Sequence, residues 1–149
     1  MKVSQVMTPQ VKTVAPSQSI QEAAQIMAKI DAGILPVGEK DRLIGMITDR
    51  DIAVRAVARG LTPDAKVRDV MSPEVLYCYE DEDIVHVAHN MGDVKVRRLP
   101  VVSRAKELVG IVSLSDVAMA EGPDIAGGAI CGISEPGGRH SQNGGALRR

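Results

Sequence analysis

The sequence KVSQVMTP at residues 2–9 returns as KVRDVMSP at residues 66–73, and this repetition decides the fold. Further along the chain, LIGMITDRD at residues 43–51 meets LVGIVSLSD at residues 108–116. Chance does not keep so many apolar, proline and glycine positions in one register. The sequence therefore predicts two copies of one structural unit.

The first half of each copy is predicted to form a short strand and then a helix. Residues 11–15 and residues 75–79 are the strand candidates. The sequence SIQE at residues 19–22 is a capping-box pattern, and the apolar residues that follow it recur at helical spacing. In the second copy, acidic residues at 81–83 precede the corresponding helix, where the helix dipole favours negative charge.

The second half of each copy is predicted to form two strands and a second helix. In the first copy the strands cover residues 34–37 and 43–47, and the helix runs from about residue 49 to residue 59. Gly60 follows, which is the residue type favoured just past a helix end. A unit of about 60 residues without Phe or Trp would be marginally stable alone. Two copies are therefore expected to pack face to face, with clefts where they meet.

The repetition divides the chain into three parts. Residues 1–60 are predicted to be the first repeat and residues 61–120 the second. Residues 121–149 hold eight of the fourteen glycines and are predicted to be a flexible, glycine-rich C-terminal tail, in which local structure near residues 125–133 is left open.

Composition excludes several classes of protein. A net charge of −1 and an aromatic content of 1% argue against nucleic-acid binding. The sequence shows no apolar run of the length of a signal peptide or a membrane span, which predicts a cytoplasmic protein without membrane contact. It shows no Ser–His–Asp or Cys–His set and no phosphate-binding loop, so no catalysis is expected.

Two further sets of residues have alternative interpretations. Cys78 and Cys131 are either idle thiols or a redox bridge. His86 and His89 stand three apart, a spacing that suits a metal, but their counterparts in the first copy lie off the apolar stripe. A solvent-exposed helix face is therefore the favoured interpretation, and no metal is expected.

The motif whose residue types suit ligand binding is Gly-apolar-apolar-Thr/Ser-x-x-Asp. It ends in Thr48 and Asp51 in the first copy and in Ser113 and Asp116 in the second. Its place is the end of a strand and the start of a helix. Glycine allows a ligand to approach the backbone, the helix N-terminus suits a phosphate, and a carboxylate can accept from both ribose hydroxyls. The same residue types are also ordinary helix caps, so each copy taken singly favours capping over binding.

The duplicated Met-Thr/Ser-Pro opening, the Leu-Pro-Val strand and this motif resemble tandem CBS (cystathionine β-synthase) domains over residues 1 to about 120. The block at residues 41–54, with GLTP at residues 60–63, is similar to small stand-alone bacterial members of the hypoxic response protein type. The resemblance implies an α+β (α/β-type) fold of two β-α-β-β-α repeats, which form a pseudo-two-fold CBS pair or Bateman module.

The resemblance also implies a ligand and its site residues. Many members bind AMP, ADP, ATP or S-adenosyl compounds, and the modules commonly form homodimers through their helices. Thr48 and Asp51 would hold phosphate and ribose in the first site, and Ser113 and Asp116 in the second. The adenine would lie between strand residues, for which the candidates are Thr13, Val14, Leu35, Pro36 and Val37 in the first copy and Tyr77, Leu99, Pro100 and Val101 in the second.

The copies differ at one charged place. Arg97 and Arg98 stand where the first copy has Gly33 and Ile34. Family members often carry basic residues here, so these arginines either contact a phosphate or are ordinary surface charges. The difference predicts that the two sites have unequal affinity and that one of them can be empty.

Two functions follow as expectations. The first is a regulatory module that senses an adenine nucleotide as its ligand, without a catalytic cofactor. The alternative is a ligand-free interaction or dimerisation module that acts on an unknown protein partner through its surface and its C-terminal tail.

Overall fold

The computed structural model describes residues 1–135. In chain order the strands are β1 (Thr8–Pro9), β2 (Ile34–Glu39), β3 (Arg42–Thr48), β4 (Cys78–Tyr79), β5 (Arg98–Val102) and β6 (Leu108–Ser113). The helices are α1 (Ile20–Ile30), α2 (Asp49–Asp51), α3 (Val67–Val70), α4 (Ile84–Val94), α5 (Leu114–Glu121) and α6 (Pro123–Ser134). No helix in the described part of the chain has the length and apolar character needed to cross a bilayer.

The chain forms two compact units. The first-repeat unit consists of residues 10–76 and 104–108. The second-repeat unit consists, within the described residues, of 1–9, 77–103 and 109–135. Each unit has its own apolar core.

The first-repeat unit is built on an antiparallel hairpin of β2 and β3, in which Ile34 lies opposite Thr48. Lys40 and Asp41 make the turn with positive φ angles of 53° and 64°. Helix α1 begins at the predicted capping box, in which the Ser19 hydroxyl accepts from the Glu22 amide at 3.1 Å. Since one face of α1 is buried, the helix closes the core over the hairpin.

The helix predicted for residues 49–59 is present as consecutive turns of different pitch. Helix α2 is followed by a π-helical turn over Ile52–Ala56 and a 3-10 turn over Val57–Arg59. The segment ends at Gly60, whose φ of +75° is the left-handed conformation expected of a helix-terminating glycine.

The second-repeat unit contains a sheet of four strands in the order β1-β6-β5-β4. Strand β4 runs parallel to β5, and β1 runs antiparallel to β6. The core joins α4 and α5 to the sheet and includes Val3, which is fully buried.

The predicted first strand of each copy is shorter in the structure. Within residues 11–15 only Val14 pairs, through a single parallel bridge to Val37. In the second copy only Cys78 and Tyr79 form a strand. Residues 12 and 13 are exposed and pair with no strand, because only the Val14 amide and carbonyl find partners on β2.

Helix α6 differs from the expectation of a flexible tail from residue 121 onward. Pro123 stands in its first turn, where the fixed φ of proline suits a helix start. Ala126 and Ala129 are buried in the core of the second-repeat unit. A side chain on Gly132 would lie 2.9 Å from the Gly92 carbonyl oxygen, so small residues allow α6 and α4 to approach closely. Residues 136–149 lie outside the described residues.

Each repeat's opening segment packs in the unit of the other repeat. The Val3 amide donates to Glu82 and the Ser4 amide donates to Glu80, both in the second-repeat unit. Conversely, Val67 and Val70 are buried in the core of the first-repeat unit. The units are therefore not two successive halves of the chain.

Candidate functional site

The first copy of the motif ends in a capping box. Thr48 is the last residue of β3, and its Oγ1 accepts from the Asp51 amide at 2.9 Å. In return, Asp51 Oδ2 accepts from the Thr48 amide at 3.0 Å. The other carboxylate oxygen, Oδ1, lies 3.8 Å from Arg55 Nε, and Asp51 is only 8% exposed. One oxygen of the carboxylate is thus held by a backbone amide, and the other forms a loose ion pair with Arg55.

The second copy repeats this geometry. Ser113 Oγ accepts from the Asp116 amide at 3.2 Å, and Asp116 Oδ2 accepts from the Ser113 amide at 2.9 Å. Within residues 1–135, Asp116 Oδ1 makes no hydrogen bond or ion pair. Asp116 is partly buried, so this oxygen is the acceptor that the second motif leaves available.

The capping interpretation of both motifs is confirmed. Capping uses one oxygen of each carboxylate as an acceptor. It also uses one lone pair of the Thr48 or Ser113 hydroxyl oxygen. A hydroxyl has a second lone pair and a proton, and each carboxylate has a second oxygen. Capping and ligand binding therefore use different lone pairs, and the ribose and phosphate contacts remain predictions.

A backbone contact that the two repeats share places the start of one strand beside each motif. The Asp49 amide donates to the Gly33 carbonyl at 2.9 Å, and the Leu114 amide donates to the Arg97 carbonyl at 3.0 Å. Positions 33 and 97 thus have matching places next to the first residue of the following helix. This contact brings Arg97 next to Ser113, while Arg98 begins β5, and both arginines are exposed.

Most of the apolar candidates for adenine contact lie in the cores. The buried residues of this set are Val14, Leu35, Pro36 and Val37 in the first-repeat unit and Leu99, Pro100 and Val101 in the second-repeat unit. Their side chains shape the strands and offer no free surface. A contact with a base would therefore rely mainly on their backbone.

Two of the candidates are exposed. Thr13 precedes the single bridge of Val14 to β2. The Tyr77 ring meets the Tyr79 ring edge to face, with centroids 5.6 Å apart. A contact of adenine with the face of the Tyr77 ring would compete with this ring pair.

The structure gives the motif glycines a role that the sequence analysis missed. A Cβ on Gly45 would lie 2.8 Å from the Ser72 carbonyl oxygen, and one on Gly110 would lie 2.8 Å from the Thr8 carbonyl oxygen. Both glycines therefore make room for an opening segment and not for a ligand. The repeated Met-Thr/Ser-Pro openings were the available signal, but they do not show which copy each opening packs against.

The cysteines and histidines have separate surroundings. Cys78 is buried, and burial raises the pKa of its thiol to about 12, whereas Cys131 is exposed. Both thiols are free. His86 and His89 are exposed on α4, and His86 Nε2 lies 4.0 Å from a Glu82 oxygen. Residues 1–135 contain no group of three or more His, Cys, Asp or Glu that could hold a metal ion.

The same capping box thus recurs in both copies of a duplicated unit. The model of the CBS domain family matches residues 3–57 and again residues 67–122, and the chain belongs to this family as a tandem pair. CBS domain-containing protein YhcV of Bacillus subtilis is 41% identical over 133 residues, which are 89% of this chain and 94% of that protein. Hypoxic response protein 1 of Mycobacterium tuberculosis is 37% identical over 115 residues, which are 76% of this chain and 80% of that protein.

Solved structures confirm the predicted α+β fold of a CBS pair. The crystal structure of Hypoxic Response Protein I with two coordinated zinc ions has a TM-score of 0.74 and 35% identity, covering 80% of this chain and 98% of that chain. The CBS domain pair of protein MJ0100 in complex with 5′-methylthioadenosine and S-adenosyl-L-methionine has a TM-score of 0.71 and 31% identity, covering 80% and 94%. The protein CBSX2 in complex with AMP has a TM-score of 0.71 and 26% identity, covering 80% and 94%.

Proposed function

We propose that the chain is a regulatory module that binds an adenine nucleotide or another adenosyl compound at its capping motifs. The observation that carries the proposal is the second carboxylate oxygen, Oδ1, which neither capping box uses: in Asp116 it has no partner among residues 1–135, and in Asp51 it faces Arg55 at 3.8 Å. Ligands named for the related CBS pairs are AMP, 5′-methylthioadenosine and S-adenosyl-L-methionine, and all three contain a ribose. A carboxylate oxygen at a helix tip is a suitable acceptor for ribose hydroxyls.

Replacing each acid by its amide separates ligand binding from capping. In Asp51→Asn and Asp116→Asn the amide oxygen can still accept from the capped backbone amide, but the second position becomes a donor. Loss of about two ribose hydrogen bonds at roughly 0.5–1.5 kcal/mol each should weaken binding at the altered site by several-fold to about a hundredfold. Isothermal titration with adenosine, AMP, ADP, ATP and S-adenosylmethionine measures this loss.

Asp124→Asn is the matched control, because Asp124 is an exposed acid in α6 and belongs to neither motif. It should bind every ligand as the unaltered chain does. Unchanged affinity in both Asp51→Asn and Asp116→Asn would show that the capping motifs are not the ligand sites.

A second candidate function, a ligand-free interaction module, is favoured by apolar side chains on helical surfaces. Val57 is 68% exposed and Met119 is 89% exposed. These side chains also support the expectation of a homodimer. The same titration separates the two functions, since an interaction module without a ligand gives no binding heat with any adenosyl compound.

A further inference from the structure

The two motif acids have different surroundings beyond their capping boxes. Asp51 Oδ1 lies 3.8 Å from Nε of Arg55, four residues further along the same helical segment. At the matching position of the second repeat stands Ala120, and within residues 1–135 Asp116 Oδ1 makes no hydrogen bond or ion pair. Of the two motifs, only the first thus has an arginine facing the acid oxygen that capping does not use.

The helical segments that follow the two motifs differ as well. Arg55 lies in the π-helical turn Ile52–Ala56, whereas α5 is a regular α-helix over Leu114–Glu121. Turns of the π type are rare in proteins and are frequently found at functional sites. The irregular turn therefore coincides with the residue that distinguishes the first motif from the second.

Arg55 also contacts the opening segment of the second repeat, residues 66–73. Its Nη1 donates to the Val70 carbonyl at 3.4 Å and to the Met71 carbonyl at 3.3 Å. These carbonyls lie at the end of α3, where unpaired backbone oxygens favour a positive charge. Arg55 therefore joins the acid of the first motif to a segment that comes later in the sequence.

Arg55 is shared between these two sets of acceptors. Its distances to Asp51 and to both carbonyls exceed the roughly 2.7–2.9 Å of a strong charge-assisted hydrogen bond. The neighbouring acid, Asp49, is held elsewhere. Its Oδ1 accepts from the Arg50 amide at 2.8 Å, and its Oδ2 fills the space that a Cβ on Gly33 would need. A change at Asp51 can therefore shift Arg55 toward the carbonyls.

From this arrangement we propose that Arg55 regulates the first-repeat site. Without a ligand, Arg55 competes with ribose hydroxyls for Asp51 Oδ1. When a ribose takes that oxygen, Arg55 moves to the Val70 and Met71 carbonyls and holds the second opening segment more tightly. The inference rests on the proposed function, because it assumes that the first motif accepts a ribose. It adds how occupancy of that motif reaches another part of the fold.

The affinity for adenosine tests the competition, because adenosine carries the ribose hydroxyls without a phosphate that Arg55 could attract. The Asp116→Asn background weakens the second site, so that the first is measured alone. There, Arg55→Met should raise the affinity for adenosine about two- to fivefold, as expected when a partly exposed, competing ion pair is lost. The affinity for 2′,3′-dideoxyadenosine, which lacks both hydroxyls, should not rise. Isothermal titration measures both ligands.

The matched control is Arg59→Met, which removes an exposed arginine from the same helical segment and should change neither affinity. A purely structural role of Arg55 would alter the binding of both ligands alike. Equal changes for the two ligands, no rise for adenosine, or no adenosine binding in the Asp116→Asn background would overturn the inference and leave the proposed function standing. If adenosine does not bind to the unaltered chain, the proposed function fails as well.

Hydrogen-exchange mass spectrometry tests the link to the opening segment. In the Asp116→Asn background, adenosine should slow amide exchange in residues 66–73 several-fold, and Arg55→Met should abolish this slowing. Asp51→Asn removes the charge that holds Arg55, so it should slow the same amides without any ligand. Slowing that persists in Arg55→Met, or exchange that neither adenosine nor Asp51→Asn slows, contradicts the transfer of Arg55 to the carbonyls.

Discussion

Gly110 has a backbone neighbour where any other residue would have a side chain. A Cβ at this position would lie 2.6 Å from Met7 Sδ and 2.8 Å from the Thr8 carbonyl oxygen. Gly45 has the same relation to Met71 and Ser72. A side chain could move the flexible sulfur, but the carbonyl belongs to a strand that is paired with β6 at Thr8 and Pro9. Glycine at position 110 is therefore a requirement of packing.

Gly110→Ala should lower the free energy of unfolding by about 1–3 kcal/mol, as overpacking of a filled site usually does. The control is Gly127→Ala in α6, where a Cβ would meet nothing within 4 Å. That change should stabilise the protein by about 0.5–1 kcal/mol, because alanine is the better helix former. Urea denaturation measures both. Equal effects of the two substitutions would contradict the close approach at Gly110.

Among the elements, α1 has a start that neighbouring residues determine. The side chains of Ser19 and Glu22 each accept a hydrogen bond from the backbone amide of the other residue. The Glu22 carboxylate also accepts from the Gln18 side-chain amide at 2.8 Å. The hydrogen bonds from Gln18 and from the Ser19 amide lower the pKa of Glu22 below its usual 4.5. A lowered pKa means that the ionised form stabilises the fold.

Ser19→Ala should lower the free energy of unfolding by about 1 kcal/mol, as loss of an N-cap usually does. Glu22→Gln should destabilise the protein at pH 7, where the stabilisation by the ionised form is fully present. That difference should shrink as the pH falls below 4.5 and through the lowered pKa of the folded state. Thermal unfolding at neutral and acid pH measures both effects.

Ser17→Ala serves as the control for the cap, since Ser17 is exposed and lies before the helix. It should stay within about 0.5 kcal/mol of the unaltered chain. A pH-independent effect of Glu22→Gln would show that the carboxylate contributes no charge-assisted bond.

Elements that neighbouring residues encode could be predicted from the sequence, whereas elements that depend on tertiary packing could not. The box at Ser19 and the stop at Gly60 are encoded by neighbouring residues, and both are confirmed. Residues 123–134 carry Pro123 and a buried alanine face but also three glycines, so composition argued against a helix that tertiary packing stabilises.

At the site, both capping pairs could be predicted from spacing. The position of the Asp49 carboxylate in the space beside Gly33 could not be predicted from spacing. It depends on how the start of α2, which follows β3, lies next to the start of β2.

At the scale of the whole molecule, the two opening segments exchange places. Val3 and Val67 occupy the same position in the repeat, and both are fully buried. Val3 lies in the core of the second-repeat unit and Val67 in the core of the first-repeat unit. Sequence order alone cannot predict this exchange, since each opening carries the same pattern and fits either copy.

The exchange predicts where each valine contributes stability. Val3→Ala should destabilise the protein by about 1–3 kcal/mol and raise amide hydrogen exchange mainly in α4 and β6. Val67→Ala should raise exchange mainly in α1 and in the β2–β3 hairpin. Hydrogen-exchange mass spectrometry reads both patterns, and each variant is the control of the other. Faster exchange in the unit that follows each valine in sequence, for both variants, would contradict the exchange of openings.

The exchange of opening segments also has a consequence during synthesis. Thr8 is translated early, but its strand partner Ile111 follows about 100 residues later. At roughly 5–20 residues per second, the N-terminal segment waits about 5–20 s before β6 exists. Residues 67–73, in contrast, leave the ribosome after the hairpin that they pack against. A nascent chain can thus form residues 10–76 of the unit around β2 and β3 first, with only residues 104–108 of that unit still to come, while its earliest residues remain without their partners.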